Sequence, residues 1–153
     1  MVKLGEQIER GSERLRRGQR PVRLSAEDKA AEIALDTAQL GASSSKGYRL
    51  VRATHGSHRG TWFFEVRVDK VGPTGAVRLG WATRSAELQA PVGCDAHGYS
   101  LRSVDGAKVH AGLRQAYGRG FGEGDVVGCM LHLPAGRPLE KTADGEERCT
   151  GYV

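Results

Sequence analysis

The chain has 153 residues, a formal charge of +5 and 22 glycines against two Trp, four Tyr and three Phe. This length suits one domain, and a composition rich in glycine and poor in aromatic side chains favours short strands and tight turns over a helical bundle. The sequence has no apolar run of about 20 residues and no apolar signal stretch at its start, which argues against a membrane span and against secretion. Its three cysteines are widely spaced and do not make a disulfide framework, so we expect a soluble intracellular protein of a reducing compartment.

Most of the net positive charge lies near the start of the chain. Up to Leu24 the sequence has seven Lys or Arg and three Glu, an excess of four positive charges. Gly5, Gly11 and Gly18 weaken a helix here, and the apolar residues are too sparse to anchor one to a core. We therefore predict a flexible basic arm over residues 1–20. A weak contact with nucleic acid is one interpretation of it, and a solvated tail is the simpler one because no aromatic residues lie between the basic ones.

The folded domain is predicted to begin at Pro21, where the composition changes. Residues 22–24 and 32–35 are short strand candidates around a polar turn at 26–29, although the propensities of this region favour one helix equally. The serine and glycine residues of 41–47 predict a loop.

The densest cluster of aromatic and β-branched residues lies at 48–81 and predicts three strands. One face of the second strand is apolar and carries Trp62, Phe64, Val66 and Val68. The third strand repeats this alternation with Val77, Leu79 and Trp81, which turns Arg78 onto the opposite face of its sheet. We expect the apolar faces of these two strands, with Trp62, Phe64, Leu79 and Trp81, to hold the domain together.

Three further strands are predicted after this stretch, at 99–102, 107–110 and 125–133. The Asp105-Gly106 pair is a strong hairpin-turn signal between the first two of them. Four glycines at 118–124 indicate a flexible connection, and the polar composition of 134–153 predicts a disordered tail.

Catalytic and metal-binding patterns are weak in this sequence. Cys94 and His97 have a C-x-x-H spacing, but no second pair at matching spacing accompanies them. A serine-nucleophile signature such as G-x-S-x-G is missing, and the carboxylates are dispersed among turns. We therefore predict no metal site, no cofactor and no intrinsic catalysis.

Three strand motifs, GTWFFEV, RLGW and GDVVGCML, resemble the SPRY domain. That resemblance implies an all-β fold, a bent sandwich of two antiparallel sheets, with a partial SPRY domain at residues 21–133. SPRY domains continue past the GDVVGCML strand with several more strands, so the resemblance also implies a sandwich that is incomplete at its C-terminal end. The segments LQAPVG and YSLRS are more narrowly similar to the Ash-two-like subunit family of COMPASS and MLL histone methyltransferase complexes.

The narrower resemblance implies a non-catalytic scaffold in the nucleus. In that family the SPRY domain binds an acidic segment of the retinoblastoma-binding WD-repeat subunit in a basic groove, and the pair activates the SET-domain subunit that methylates lysine 4 of histone three. The alternatives are a generic SPRY peptide-recognition module, of the ubiquitin-ligase substrate-receptor type, or a non-functional fragment.

Carried over by motif, the groove would be lined by Arg78 of RLGW, Pro91 of LQAPVG and Arg102 of YSLRS. Two guanidinium groups that converge on one groove suit forked hydrogen bonding to carboxylates. Cys94 stands where the family usually has a tyrosine, which removes an aromatic wall and a hydroxyl donor. Tyr99 is the residue that would compensate for this loss in part.

Overall fold

The computed structural model describes residues 2–4, 21–45, 47–134, 140–141 and 147–148. All regular secondary structure in these ranges is β-strand, and every strand pairing is antiparallel. Among the same residues there is no helix long and apolar enough to cross a membrane. The predicted all-β, antiparallel fold is therefore confirmed.

The strands follow one another along the chain with these bounds: β1 Val2–Leu4, β2 Leu24–Lys29, β3 Ala34–Leu35, β4 Gly41–Ser43, β5 Val51–Ala53, β6 Gly60–Val68, β7 Arg78–Ala82, β8 Gly98–Arg102, β9 Lys108–His110, β10 Leu113–Gln115, β11 Val126–Leu133, β12 Glu140–Lys141 and β13 Glu147–Arg148.

The larger sheet has the strand order β11-β6-β1-β4-β3. Strands β6 and β11 pair along their whole length, from Gly60 opposite Leu133 to Arg67 opposite Val126. Strand β1 lies on the other side of β6, with Leu4 opposite Val66. These first residues were predicted to belong to a flexible arm, and for Val2–Leu4 that prediction is wrong because they pair with two strands of the sheet. The rest of residues 1–20 lies outside the described residues.

The second sheet has the strand order β10-β9-β8-β7 and faces the first across a thin core. Phe64 of β6 and Trp81 of β7 meet edge to face, with ring centroids 5.0 Å apart and an interplanar angle of 66°. This is a favoured aromatic geometry, and it confirms that the alternating faces of the two strands meet. Among the described residues, Val68 and Val109 are the largest side chains that are fully buried.

Trp62 does not occupy the core position that the alternation predicts. It is 49% exposed, and its indole Nε1 donates a hydrogen bond to the Arg59 carbonyl at 2.7 Å. The residue lies near the start of β6, where this local hydrogen bond fixes the ring beside its own strand. The core contact between the sheets is therefore made by Phe64, two residues further along.

The polar segments near the start of the domain form strands that local signals did not predict. The predicted turn at 26–29 lies inside β2, which pairs with β5 through an irregular register. A backbone hydrogen bond from Asp28 to the Ser25 hydroxyl, 2.9 Å long, lies within this irregular stretch. Strand β4 likewise occupies the first part of the predicted loop at 41–47. The alternative of one helix over residues 26–40 is wrong, because this segment forms the end of β2, turns and β3.

The predicted disordered tail contains one strand pair. Glu140 lies opposite Arg148 and Lys141 lies opposite Glu147. The other residues of 134–153, except Pro134, lie outside the part of the chain that the structure describes. The division into arm, domain and tail otherwise stays a prediction.

Candidate functional site

The two arginines singled out in the sequence lie directly opposite each other on neighbouring strands. Arg78 begins β7, Arg102 ends β8, and the antiparallel register pairs them. Directly opposed side chains share one face of a sheet, with Cβ atoms about 4.5 to 5.5 Å apart, and like charges in such a pair repel each other. An anion bound between them would relieve this repulsion.

Arg78 has unused capacity to donate hydrogen bonds. Its Nη1 lies 3.4 Å from the carbonyl oxygen of Val92, and its guanidinium carbon lies 5.8 Å from the ring centroid of Tyr48. The Nε atom is buried and has no hydrogen-bond partner. No ion pair joins Arg78 to a carboxylate within the described ranges. A buried donor without a partner is unfavourable, so the site suits a ligand that accepts hydrogen bonds.

A tight turn at 91–94 forms the wall beside Arg78. The Cys94 amide donates to the Pro91 carbonyl at 3.0 Å, and Gly93 has a φ of 81°, as the third position of a type II turn requires. A Cβ at Gly93 would lie 2.4 Å from the Val109 carbonyl oxygen, so only glycine allows the turn to approach the sheet this closely. Pro91 is half-buried and Cys94 is exposed.

The loop that carries this turn packs over the same face of the sheet. Leu50, Ala86 and Val92 form a buried apolar cluster beneath it, with Ala82 and Leu88 packed alongside. Arg52 ties the loop to β2 and β5. It makes two hydrogen bonds of 2.7 Å to the carboxylate of Asp28, and its Nη1 donates to the carbonyls of Thr83 and Ala86 at 3.2 and 2.9 Å. The position of Val92 beside Arg78 therefore depends on the apolar cluster and on a largely buried ion pair.

Two carboxylates in this region are held in the ionised form. The hydrogen bonds from Arg52 hold the pKa of Asp28 below its ordinary value, against the opposing effect of burial. Burial opposes ionisation of Asp95, but hydrogen bonds from the backbone N–H groups of Glu87 and His97 outweigh it and lower the pKa of that carboxyl. Asp28 thus binds Arg52, and Asp95 binds two backbone amides of the loop.

Arg102 already has an internal carboxylate partner. Its Nη1 donates to Oδ2 of Asp105 at 2.6 Å, while Oδ1 of Asp105 accepts the Ala107 amide at 3.1 Å. The hydrogen bond from the Ala107 amide lowers the pKa of Asp105 most, and the Arg102 guanidinium lowers it further. This carboxyl is therefore ionised at neutral pH. Asp105 and Gly106 make the turn between β8 and β9 that the sequence predicts, and the Gly106 amide donates to the Arg102 carbonyl.

Tyr99 lies away from the arginines. It pairs with Trp81 across the strands and therefore projects from the opposite face of the sheet. Its ring stacks on that of His110, with centroids 3.8 Å apart. The expectation that Tyr99 compensates for the missing tyrosine at Cys94 is therefore wrong. Arg78 and Arg102 share one face of the sheet, and Val92 of the turn at 91–94 lies beside Arg78, whereas Tyr99 projects from the other face.

Two residues of this region were missed by the sequence reasoning. Tyr48 is 45% exposed and places its ring against Arg78, and Asp105 pairs with Arg102. Proximity along the chain could have identified Asp105, because a carboxylate three residues after an arginine at a strand end can fold back onto it. Nothing in the sequence around Tyr48 indicates its contact with a strand thirty residues later.

Two cysteines lie within the described residues. Burial raises the pKa of the Cys129 thiol to about 11, so that thiol stays protonated, whereas Cys94 is exposed. Within the described ranges no group of three or more His, Cys, Asp or Glu side chains is arranged to hold a metal ion.

Comparison with known proteins identifies related domains. The chain is 37% identical over 119 residues to the Set1/Ash2 histone methyltransferase complex subunit ASH2 of Drosophila melanogaster, a match that covers 78% of this chain and 21% of that protein. It is 37% identical over 125 residues to the subunit ash-2 of the same complex in Caenorhabditis elegans, which covers 80% of this chain and 21% of that protein. It is 38% identical over 114 residues to the Set1 complex component ash2 of Schizosaccharomyces pombe, a match that covers 73% of this chain and 18% of that protein. The chain thus spans about a fifth of the length of the curated relatives it matches.

A family model gives the broader assignment. The SPRY domain model matches residues 61–137, a range that begins in β6 and includes β7, β8 and the arginine pair. The two antiparallel sheets are those of a SPRY-type sandwich. This chain therefore belongs to the SPRY domain family.

Proposed function

We propose that this chain is a non-catalytic docking domain whose Arg78 and Arg102 bind an acidic segment of a partner protein. The observation that supports the proposal is the register of β7 and β8, in which Arg78 lies opposite Arg102 on one face of the sheet. Asp105 pairs with Arg102 alone. A carboxylate that bridges the pair would accept a hydrogen bond from each arginine and offset their repulsion. Tyr48 and the turn at 91–94 would form the walls of that groove.

The relatives support a particular kind of assembly. Those from the fly and the nematode are named as subunits of a Set1/Ash2 histone methyltransferase complex, and the one from fission yeast as a Set1 complex component. We infer that this domain acts in a nuclear complex of the same type. Its acidic ligand would be a segment of the retinoblastoma-binding WD-repeat subunit, and the bound pair would act on the SET-domain methyltransferase subunit.

A titration with an acidic peptide tests the docking proposal. The ligand is a synthetic peptide rich in Glu and Asp, and its matched control has every Glu replaced by Gln and every Asp by Asn. We expect the acidic peptide alone to bind in calorimetry. Arg78→Ala and Arg102→Ala should each weaken binding by about 1.5 to 3 kcal/mol, the contribution of a hydrogen bond to a charged group.

Tyr48 provides a second test of the groove. Tyr48→Ala should weaken binding by about 0.5 to 2 kcal/mol because it removes the ring that orients Arg78, and Tyr48→Phe should have a smaller effect. Arg59→Ala is the control for loss of an exposed arginine. Tyr117→Ala is the control for loss of an exposed tyrosine, because Tyr117 is 74% exposed and its ring centroid lies 6.0 Å from Nζ of Lys108. Equal affinity of the wild type, Arg78→Ala and Arg102→Ala would rule out the proposed groove.

The basic arm is a separate proposal. Its excess of positive charge supports a weak contact with nucleic acid, because Lys and Arg that neutralise phosphates release condensed counterions. Such binding to a DNA duplex should weaken steeply as salt is raised. Binding that is absent at low salt, or that does not change with salt, would contradict this contact without bearing on the docking groove.

A further inference from the structure

Asp105 lies in the groove proposed above as a carboxylate supplied by the chain itself. We propose that Asp105 competes with the incoming carboxylate for Arg102 and so lowers the affinity of the arginine pair for acidic ligands. This inference rests on the proposed docking function and adds to it an affinity-determining residue.

The geometry supports competition at one particular atom. Nη1 of Arg102 lies 2.6 Å from Oδ2 of Asp105, which is the distance of a direct, charge-assisted hydrogen bond. The side chain of Arg102 is 19% exposed, whereas that of Asp105 is 42% exposed. A ligand carboxylate that approaches Arg102 from solvent must therefore displace Asp105 from Nη1 or share the guanidinium of Arg102 with Asp105. Arg78, by contrast, has no such carboxylate among the described residues.

Asp105 also has a reason to remain beside Arg102 when no ligand is bound. Its Oδ1 accepts the Ala107 amide, which fixes the carboxylate within the turn from β8 to β9. The opposite oxygen is then directed at Arg102 without a large loss of side-chain entropy. In the unliganded protein the repulsion between the two arginines is thus partly neutralised, and a ligand gains only the difference between its own contacts and those of Asp105.

The substitution Asp105→Asn tests this directly. Asparagine keeps the carbonyl oxygen that accepts the Ala107 amide and suits a turn before glycine, but it removes the negative charge. We expect this variant to bind the Glu- and Asp-rich peptide about two- to five-fold more tightly than the wild type, the range that exposed ion pairs give. The gain should disappear in the Arg102→Ala background, because there is then no guanidinium to compete for.

A matched control separates competition from a general change in charge. Glu27→Gln removes one negative charge from an exposed position on β2, outside the groove. It should leave the affinity for the peptide within experimental error. Melting curves of all the variants should agree, which excludes a change in folding as the source of any difference.

The outcomes distinguish this inference from the docking proposal. If Asp105→Asn binds no more tightly than the wild type while Arg78→Ala and Arg102→Ala weaken binding, competition is refuted and the docking groove stands. A gain that persists in the Arg102→Ala background, or that Glu27→Gln reproduces, also refutes competition. Absence of peptide binding in both the wild type and Asp105→Asn would overturn both proposals, whereas binding by Asp105→Asn alone would support competition.

Discussion

A single peptide carbonyl, that of Val92, connects the groove to the core. It accepts the Ser100 hydroxyl at 2.8 Å and lies 3.4 Å from Nη1 of Arg78. Ser100 is buried on the same face of the sheet as Arg78, two residues before Arg102. One carbonyl therefore fixes the turn against the sheet and also contacts the guanidinium of Arg78.

Gly93 is the residue on which this arrangement depends most. Substitution by alanine would force a side chain into a conformation with φ of 81° and place its Cβ 2.4 Å from a backbone oxygen. We expect Gly93→Ala to lower the free energy of unfolding by about 2 to 4 kcal/mol, as strained backbone and overpacking together do. Urea unfolding followed by tryptophan fluorescence measures this change.

A neighbouring loop offers the control for Gly93. Nothing lies within 4 Å of a Cβ built at Gly56, so Gly56→Ala should change the free energy of unfolding by less than about 1 kcal/mol. If Gly93→Ala and Gly56→Ala proved equally stable, the close approach of the turn to Val109 could not be a determinant of stability.

At the level of elements, Arg52 and Asp28 hold three parts of the chain in place. Arg52 of β5 binds Asp28 of β2 and reaches two carbonyls of the 83–86 segment. Its side chain is 12% exposed and that of Asp28 is 36% exposed. Removal of the acid would leave a largely buried guanidinium without its anion, which is unfavourable in a site of low polarity.

We expect Asp28→Asn to destabilise the domain by about 1 to 3 kcal/mol at pH 7. The pKa of Asp28 in the folded protein is lower than its ordinary value of 3.8, so folding favours the ionised carboxylate. The contribution of this group is complete above pH 4 and is lost as the pH falls through the folded pKa, below 3.8. The difference in unfolding free energy between wild type and Asp28→Asn should therefore shrink on acidification below pH 4. Parallel stability profiles for the two proteins would contradict this role.

The elements that could be predicted are those with alternating apolar residues. Strands β6, β7, β8 and β11 follow the pattern of alternating side chains. The predicted ends of these strands lie within one residue of the observed ends. Strands β2 and β4 were missed because short polar segments adopt strand geometry only when a partner supplies the hydrogen bonds. The partner of β2 is β5, which is distant in sequence, and β4 lies between the nearby β3 and the distant β1. Local propensity carries no information about such pairing.

The same limit applies to the candidate site. Alternation alone places Arg78 opposite the core face, but it does not give the register that brings Arg102 beside it. Alternation does separate Tyr99 from Arg102, since residues three apart in a strand lie on opposite faces, and applying it would have excluded Tyr99. The Tyr48 contact required the fold of the long loop, which no short pattern encodes.

For the molecule as a whole, the outer face of the larger sheet carries two large apolar side chains that are exposed next to each other. Phe63 is 54% exposed and Met130 is 71% exposed, and they face each other across β6 and β11. The Phe63 ring also covers Gly128. A Cβ built at Gly128 would lie 2.8 Å from the Phe63 ring. Within the described residues β11 lies at the edge of its sheet, so its outer backbone groups are open to another strand.

We therefore expect concentration-dependent self-association through β11. Met130→Lys should reduce it, because a charge on an edge strand disfavours pairing with a second copy, and sedimentation velocity measures the change. Leu113→Lys is the control, since Leu113 is 70% exposed but lies on β10 of the other sheet. A protein that stays monomeric at high concentration, or an equal effect of both lysines, would show that β11 is not the contact.

The register that pairs the two arginines also has a dynamic consequence. Within the described residues β7 is the last strand of its sheet, held along one side by β8 alone. Such a strand opens more readily than a central one, and its amides exchange with solvent faster. A carboxylate bound by Arg78 and Arg102 at once would act as a cross-link between the two strands. Ligand binding should thus slow amide hydrogen exchange in β7, and the protection would extend along the strand towards Trp81, well beyond the contact itself.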